Sequence, residues 1–171
     1  EFDIYKADTP SKMHQYARLN PSEVKGKKII KIDKNTDRSQ LIKEYKNKKG
    51  ELCGIVLTNE LIRGDKLTSG FVSPFNTWLR TKLCGVLAET MIKNQKGEGK
   101  SYAVDVYYPY KHRLEQEENE VLHGKKMTKW KDVSSAHRHN AAKRYMIKMF
   151  IQDLYDKWRK IEGLSVRKPY Q

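Results

Sequence analysis

No apolar run in this chain approaches the ~18 residues that a membrane-spanning helix needs, and its start lacks the charged, apolar and small-residue succession of a secretory leader. The expected setting is therefore intracellular, cytoplasmic or nuclear, with no membrane partner. Cysteine is scarce. Cys53 and Cys84 are the only two, they form no CxxC pair, and each sits in an apolar run, LCGIVL and LCGVLA. That argues against a disulfide frame or a structural zinc, and both read as small core hydrophobes of a reducing compartment. Motifs for nucleotide and acyl chemistry are missing too. Gly97-x-Gly99-Lys100 lacks the frame of a phosphate-binding Walker loop, and no GxSxG, HExxH or tyrosine-recombinase pattern occurs.

Acidic residues are also in deficit, and this is the informative shortage. Lys and Arg number 35 against 21 Asp and Glu, a formal charge of +14. The excess is uneven. From Val121 onward there are 13 basic and 4 acidic residues, whereas the first 120 positions carry 22 and 17. Such asymmetry predicts a basic face and a polyanionic partner, with nucleic acid, DNA or RNA, the best match. The competing explanation is a general enrichment in lysine, which supplies 26 of the 35. Mean hydropathy is low at −0.85, yet the apolar residues cluster and aromatics reach 10%, which disordered chains do not. A length of 171 residues suits one domain with its own core. The chain opens on Glu1-Phe2 rather than Met and reads as a piece of a larger protein, whose other domains would be further partners.

Residues 1–26 are expected to form an irregular lead-in with one short helix, opened at Thr9-Pro10-Ser11 and ended by Asn20-Pro21. Residues 27–163 then form a single α+β domain, and 164–171 a basic flexible tail. Within the domain, Lys27–Asp33 reads as a strand, Thr36 or Asp37 caps a helix reaching Lys48 with Gly50 as its stop, and Glu51–Thr58 reads as a strand buried on both faces. Strand, helix and strand with short joins suggest a parallel βαβ unit. A long helix is expected from Pro74 to Gln95, a strand over Ser101–Pro109, a helix over Tyr110–Glu120 and a basic connector over 121–131. The strongest helical pattern runs from Ser134 to Ile161, ~40 Å long. Its apolar stripe is Ala141, Tyr145, Met146, Met149, Phe150, Leu154, Trp158 and Ile161. The fold class is thus α+β: a small two- or three-stranded sheet packed against two long helices, around Trp78, Met91, Tyr145, Phe150 and Trp158.

Four constellations carry candidate chemistry. Lys125, Lys126, Lys129 and Lys131 of the connector lead into Arg138, Lys143, Arg144 and Lys148 of the last helix. Like charges at helical spacing repel slightly, so a helix that keeps them suits an anion such as the phosphate backbone; a merely solvated face is the plain alternative. Tyr107, Tyr108 and Tyr110, with Tyr102 upstream and Lys111, His112 and Arg113 downstream, interleave rings with cations as base-stacking surfaces do. Packing of alternate tyrosines on the core is the stronger rival there. His123, Asp132, His137 and His139 could be offered to a metal as a four-residue set, with His112 further upstream, but His137 and His139 are two apart and diverge by about 200° on a helix, and no metal site is assigned.

The fourth constellation is acidic. Asp105 lies in the apolar context AVDVY, with Asp132, Asp33 and Glu89 as possible partners, and paired carboxylates holding Mg2+ serve phosphoryl transfer. In outline this placement resembles that of RNase H-like nucleases and transposases, but the five-strand order of such folds is not visible in the sequence, so the resemblance does not carry over to the fold; on the residues alone, Asp105 and Asp132 are the candidate catalytic ligands of Mg2+. The first expectation is therefore a nucleic-acid-binding module of a DNA- or RNA-processing protein. A metal-dependent nuclease or transposase is the second, and a scaffold module docking through the amphipathic last helix is the third.

Overall fold

Asp37 does what a cap residue should: its carboxylate accepts from the Ser39 backbone N–H at 3.0 Å. Yet only one 3-10 turn follows, Arg38–Gln40, and the chain then extends. The computed structural model describes residues 2–19, 23–64, 66–94, 101–123 and 126–167. The Asn20-Pro21 stop, the Gly97–Lys100 loop, Lys125 and the tail end 168–171 lie outside the described residues. The architecture is mixed α+β, with a small antiparallel sheet and several helices, the first being the short α1 (Pro10–Tyr16). The chain divides into two compact units, His14–Thr77 and Glu1–Met13 with Trp78–Gln171.

The first unit holds strands β1 (Glu23–Lys31), β2 (Leu41–Lys46) and β3 (Leu52–Arg63), in the order β1-β3-β2. Every pairing is antiparallel, for example Ile29 opposite Ile55 and Tyr45 opposite Cys53. This corrects two expectations. The segment after Asp37 is a strand rather than a helix, and no parallel βαβ unit forms. The reason lies in pairing. Asn47 and Gly50 close a turn, with the Gly50 N–H donating to the Asn47 carbonyl and Gly50 at φ +79°. That turn folds β2 straight back onto β3, where cross-strand contacts outweigh local helical preference. Nor is β3 buried on both faces: Cys53 and Ile62 are buried, but Leu57 and Leu61 are more than half exposed. The core of this unit takes in Ala17, Leu19, Cys53, Ile62 and Phe75.

The second unit is helical apart from a hairpin, β4 (Glu120–His123) and β5 (Lys126–Lys129), which occupies the expected connector. The helix expected from Pro74 begins at Thr77 and runs in three stretches: α2 (Thr77–Thr81), a π-helical segment (Lys82–Leu87) and α3 (Ala88–Lys93). Residues 101–109 form no strand. A second π-helical segment, Ala103–Tyr107, continues into α4 (Tyr108–Gln116). The widened turns precede Pro109, whose missing N–H would break a regular α ladder at that point. Buried Ala103, Tyr107 and Leu114 carry the helical four- and seven-residue spacing that the alternating tyrosines had masked.

Helix α5 (Ser135–Ile161) is the long element of the molecule, at 27 residues. Ser134 caps it, its side chain accepting from the His137 N–H. Its buried line is Ala142, Met146, Ile147, Ile151, Tyr155 and Arg159, one residue displaced from most of the expected stripe. Ile161 is 82% exposed and Trp78, expected in the core, is 64% exposed. Around α5 pack the π-helical segments, α3 and α4. At its C-terminal end the Arg159 guanidinium is buried and donates to the carbonyls of Ile4 (3.2 Å), Ala7 (3.0 Å) and Ser165 (2.6 Å). The Tyr155 hydroxyl adds a bond to the Asp8 carbonyl at 2.7 Å. These bonds hold the first residues of the chain onto the last helix.

Candidate functional site

A cleft of about 510 Å3 lies in the helical unit, between the helix 77–93 and the first turns of α5. Arg80, Thr81, Cys84 and Gly85 line one side, and His137, Asn140, Lys143 and Arg144 the other. Arg80 and Cys84 are one turn apart, which brings the guanidinium Nη1 to 2.9 Å from the sulfur. Burial pushes the Cys84 thiol above its ordinary value, against the opposing pull of Arg80. The thiol therefore stays neutral, and no thiolate cancels the arginine charge. Arg144 Nε donates to the Asn140 carbonyl one turn back, which sets the guanidinium along the cleft wall.

His137 sits at the cleft with its ring edge-on to His123, 5.0 Å between centroids, and tilted against Trp130 at 5.5 Å. Burial first, then His123 and Arg144, lower its basicity. His139, two residues on, points elsewhere. Its Nδ1 is 2.6 Å from the Tyr107 hydroxyl and its Nε2 3.5 Å from Glu89. Glu89 in turn holds Lys143 at 2.6 Å, and the Lys143 bond, followed by the other effects of that charge and of His139, keeps the Glu89 carboxyl below its usual range. Tyr107, His139, Glu89 and Lys143 thus form one chain of polar contacts across three helical elements, and its Lys143 end lines the cleft.

The cations expected on the connector and α5 fall into different situations. Lys129 and Lys131 both reach the exposed carboxylate of Glu118, the first at 2.7 Å, and these two bonds pull the Glu118 carboxyl down to about 2. Arg138 Nη1 donates to three carbonyls, of Trp130 (3.3 Å), Lys131 (2.8 Å) and Val133 (2.5 Å), and so ties down the turn that enters α5. Lys148 is half-buried, and burial first, then Arg144, lowers its basicity. Lys126 is exposed on β5. Of the expected set, Lys143 and Arg144 are the ones brought into the cleft.

The tyrosines are largely engaged in packing. Tyr107 is 3% exposed. Tyr110 stacks on Tyr145 at 4.0 Å and 11°, with Arg113 over the Tyr110 ring at 4.9 Å. Tyr108 rests edge-on against Tyr107 and is 43% exposed; Lys111 is half-buried on the same helix. Asp105 is exposed and accepts from the Ser101 N–H at 3.0 Å, closing the first turn of its helix. Asp132 is exposed in a 3-10 turn before α5, and Asp33 closes a turn with Asn35 and Thr36. Among the described residues, no three His, Cys, Asp or Glu side chains gather as a metal-holding group, and none of the helices is long and apolar enough to cross a membrane.

Sequence reasoning missed Arg80, Gly85 and Asn140. The usable signal was Gly85, a glycine inside an otherwise helical pattern, which costs helix stability and so calls for a reason. Fold and site together define an α+β chain with a cation-lined cleft on its helical unit. Protein-family models, curated proteins and solved structures contain no match to it.

Proposed function

We propose that this chain is a nucleic-acid-binding module of a larger DNA- or RNA-processing protein, and that the cleft between the helix 77–93 and α5 is where it grips phosphate. One observation carries the reading: two arginines from different helices, Arg80 and Arg144, open onto one concavity beside Lys143 and His137. Charges of one sign converging on a cleft repel each other, and an anionic ligand relieves that cost. Guanidinium forks fit phosphate oxygens in pairs, which makes arginine the better residue there than lysine. The surplus of positive charge after residue 120 steers a polyanion toward the same unit.

Electrophoretic shifts on single- and double-stranded DNA and RNA, at several salt concentrations, test this. The wild-type chain is expected to bind with a log–log salt slope set by the phosphates it neutralises. Arg80→Ala and Arg144→Ala should each weaken binding and flatten that slope by about 0.7 to 0.9, while Lys129→Ala, whose charge is already met by Glu118, changes it less. Equal affinity and slope in wild type and both arginine variants would refute the assignment.

A further inference from the structure

Gly85 is an odd residue to find in the middle of a helix. It costs about 1 kcal/mol relative to alanine, because glycine loses the most backbone freedom on folding. Packing does not require it. A Cβ built at Gly85 meets only the Thr81 methyl, at 3.9 Å, which is an ordinary contact. The space that a side chain would fill is the cleft itself, which Gly85 lines. A bare backbone at the wall of a cation-lined cleft lets a ligand approach closely.

Trp78 is the second anomaly. It is 64% exposed, although indole is among the most apolar surfaces a protein can bury. It lies one turn before Thr81 on the same helix, so about 5–6 Å separates their Cβ atoms, and Thr81 lines the cleft. The Lys82 ammonium sits 5.5 Å from the ring centroid, holding a cation at this aromatic surface. An exposed indole one turn from an arginine-lined cleft pairs a stacking platform with a backbone grip. Single strands use both, because their bases are unpaired and every base has a π face. A duplex keeps its bases stacked within itself and would engage only the cations.

We propose that the cleft takes a single-stranded nucleic-acid segment, one phosphate held by Arg80 and Arg144 against the bare Gly85 backbone and a neighbouring unpaired base stacked on Trp78. This rests on the nucleic-acid reading above and narrows it to one substrate class. The occupant follows from charge complementarity and from the aromatic surface next to it.

The test uses the full chain with a fluorescein-labelled single-stranded oligothymidylate and a duplex of equal length, read by anisotropy at two salt concentrations, with thermal midpoints measured in parallel. Wild type should bind the single strand about tenfold or more tightly than the duplex. Trp78→Ala should weaken single-strand binding by about tenfold, leave duplex binding unchanged, and keep the thermal midpoint, since the residue is exposed. Gly85→Gln should keep or raise the thermal midpoint, because glutamine is the better helix former, yet lose most single-strand binding by filling the cleft. A Gly85 role in folding alone would move these two readouts together rather than apart. If Trp78→Ala and Gly85→Gln bind the single strand like wild type while Arg80→Ala and Arg144→Ala weaken both ligands, the single-strand assignment is overturned and the nucleic-acid reading stands. If wild type binds neither ligand, both are overturned.

Discussion

Two of the arginines of α5, Arg144 and Arg159, stand fifteen residues apart and are used in opposite ways. Arg159 is 7% exposed and spends its charge on three backbone carbonyls, two of them from the first residues of the chain. Arg144 lines an open cleft opposite a second arginine. The same side chain is a structural staple where the fold closes over it, and part of an open cation-lined wall where it faces a second arginine. The difference teaches that charge count along a helix does not locate a binding face. What separates the two arginines is whether the fold closes over the guanidinium or leaves it lining a cleft.

The largest effect that would break this contrast concerns stability. Arg159→Leu strands buried carbonyls and removes charge-assisted bonds, so unfolding free energy should fall by about 3 kcal/mol. Arg144→Leu, at a half-buried position with a bond to the Asn140 carbonyl, should cost about 1 kcal/mol. Chemical denaturation of both variants decides, and equal losses would erase the distinction. Arg138→Ala is expected to cost about 2 kcal/mol, since its bonds to three carbonyls of the 130–133 turn are lost.

Smaller effects sharpen the comparison. Tyr107→Phe removes the hydroxyl bonded to His139 and should cost about 1 kcal/mol while leaving oligonucleotide affinity unchanged, because Tyr107 is buried and is not part of the cleft lining. The smallest effect is acid-dependent. Glu118 is held at about 2, below the ordinary 4.5, by Lys129 and Lys131. A carboxylate whose folded-state pKa is depressed contributes stability above its unfolded value and loses it as pH falls toward the folded one. Its contribution is therefore complete above about 4.5 and lost between there and about 2. Denaturant midpoints measured down that range should drop more shallowly for Glu118→Gln than for wild type, by a small margin, as exposed pairs are well screened.

The long last helix was legible in the sequence because its cap, Ser134, and its stop coincide with an unbroken 3.6-residue pattern. Its buried line was misplaced by one residue because Tyr145, Phe150 and Trp158 drew the stripe toward the aromatics, and because a buried arginine at 159 reads as polar. The strand β2 was not legible: its helix-forming residues and its Asp37 cap argue for a helix until β3 is there to pair with. The alternation in SYAVDVY imitates a strand, and only the longer spacing from Ala103 to Leu114 reveals the helix. Of the eight residues that line the cleft, Lys143 and Arg144 could be read in advance as anion-holding cations. Gly85 left a signal as a glycine inside a helical pattern, but Arg80 left none, since its meaning depends on which helix packs opposite it.

The knot that Arg138 ties in the turn before α5 has a kinetic consequence. A cleft whose wall is anchored before any ligand arrives has little left to order on binding, so the encounter itself, steered by the surplus positive charge, is expected to set the association rate. Such rates climb to about 10^8 M−1 s−1 or above at low salt and fall steeply as salt is added. Preferences among ligands would then be expressed in how long each one stays.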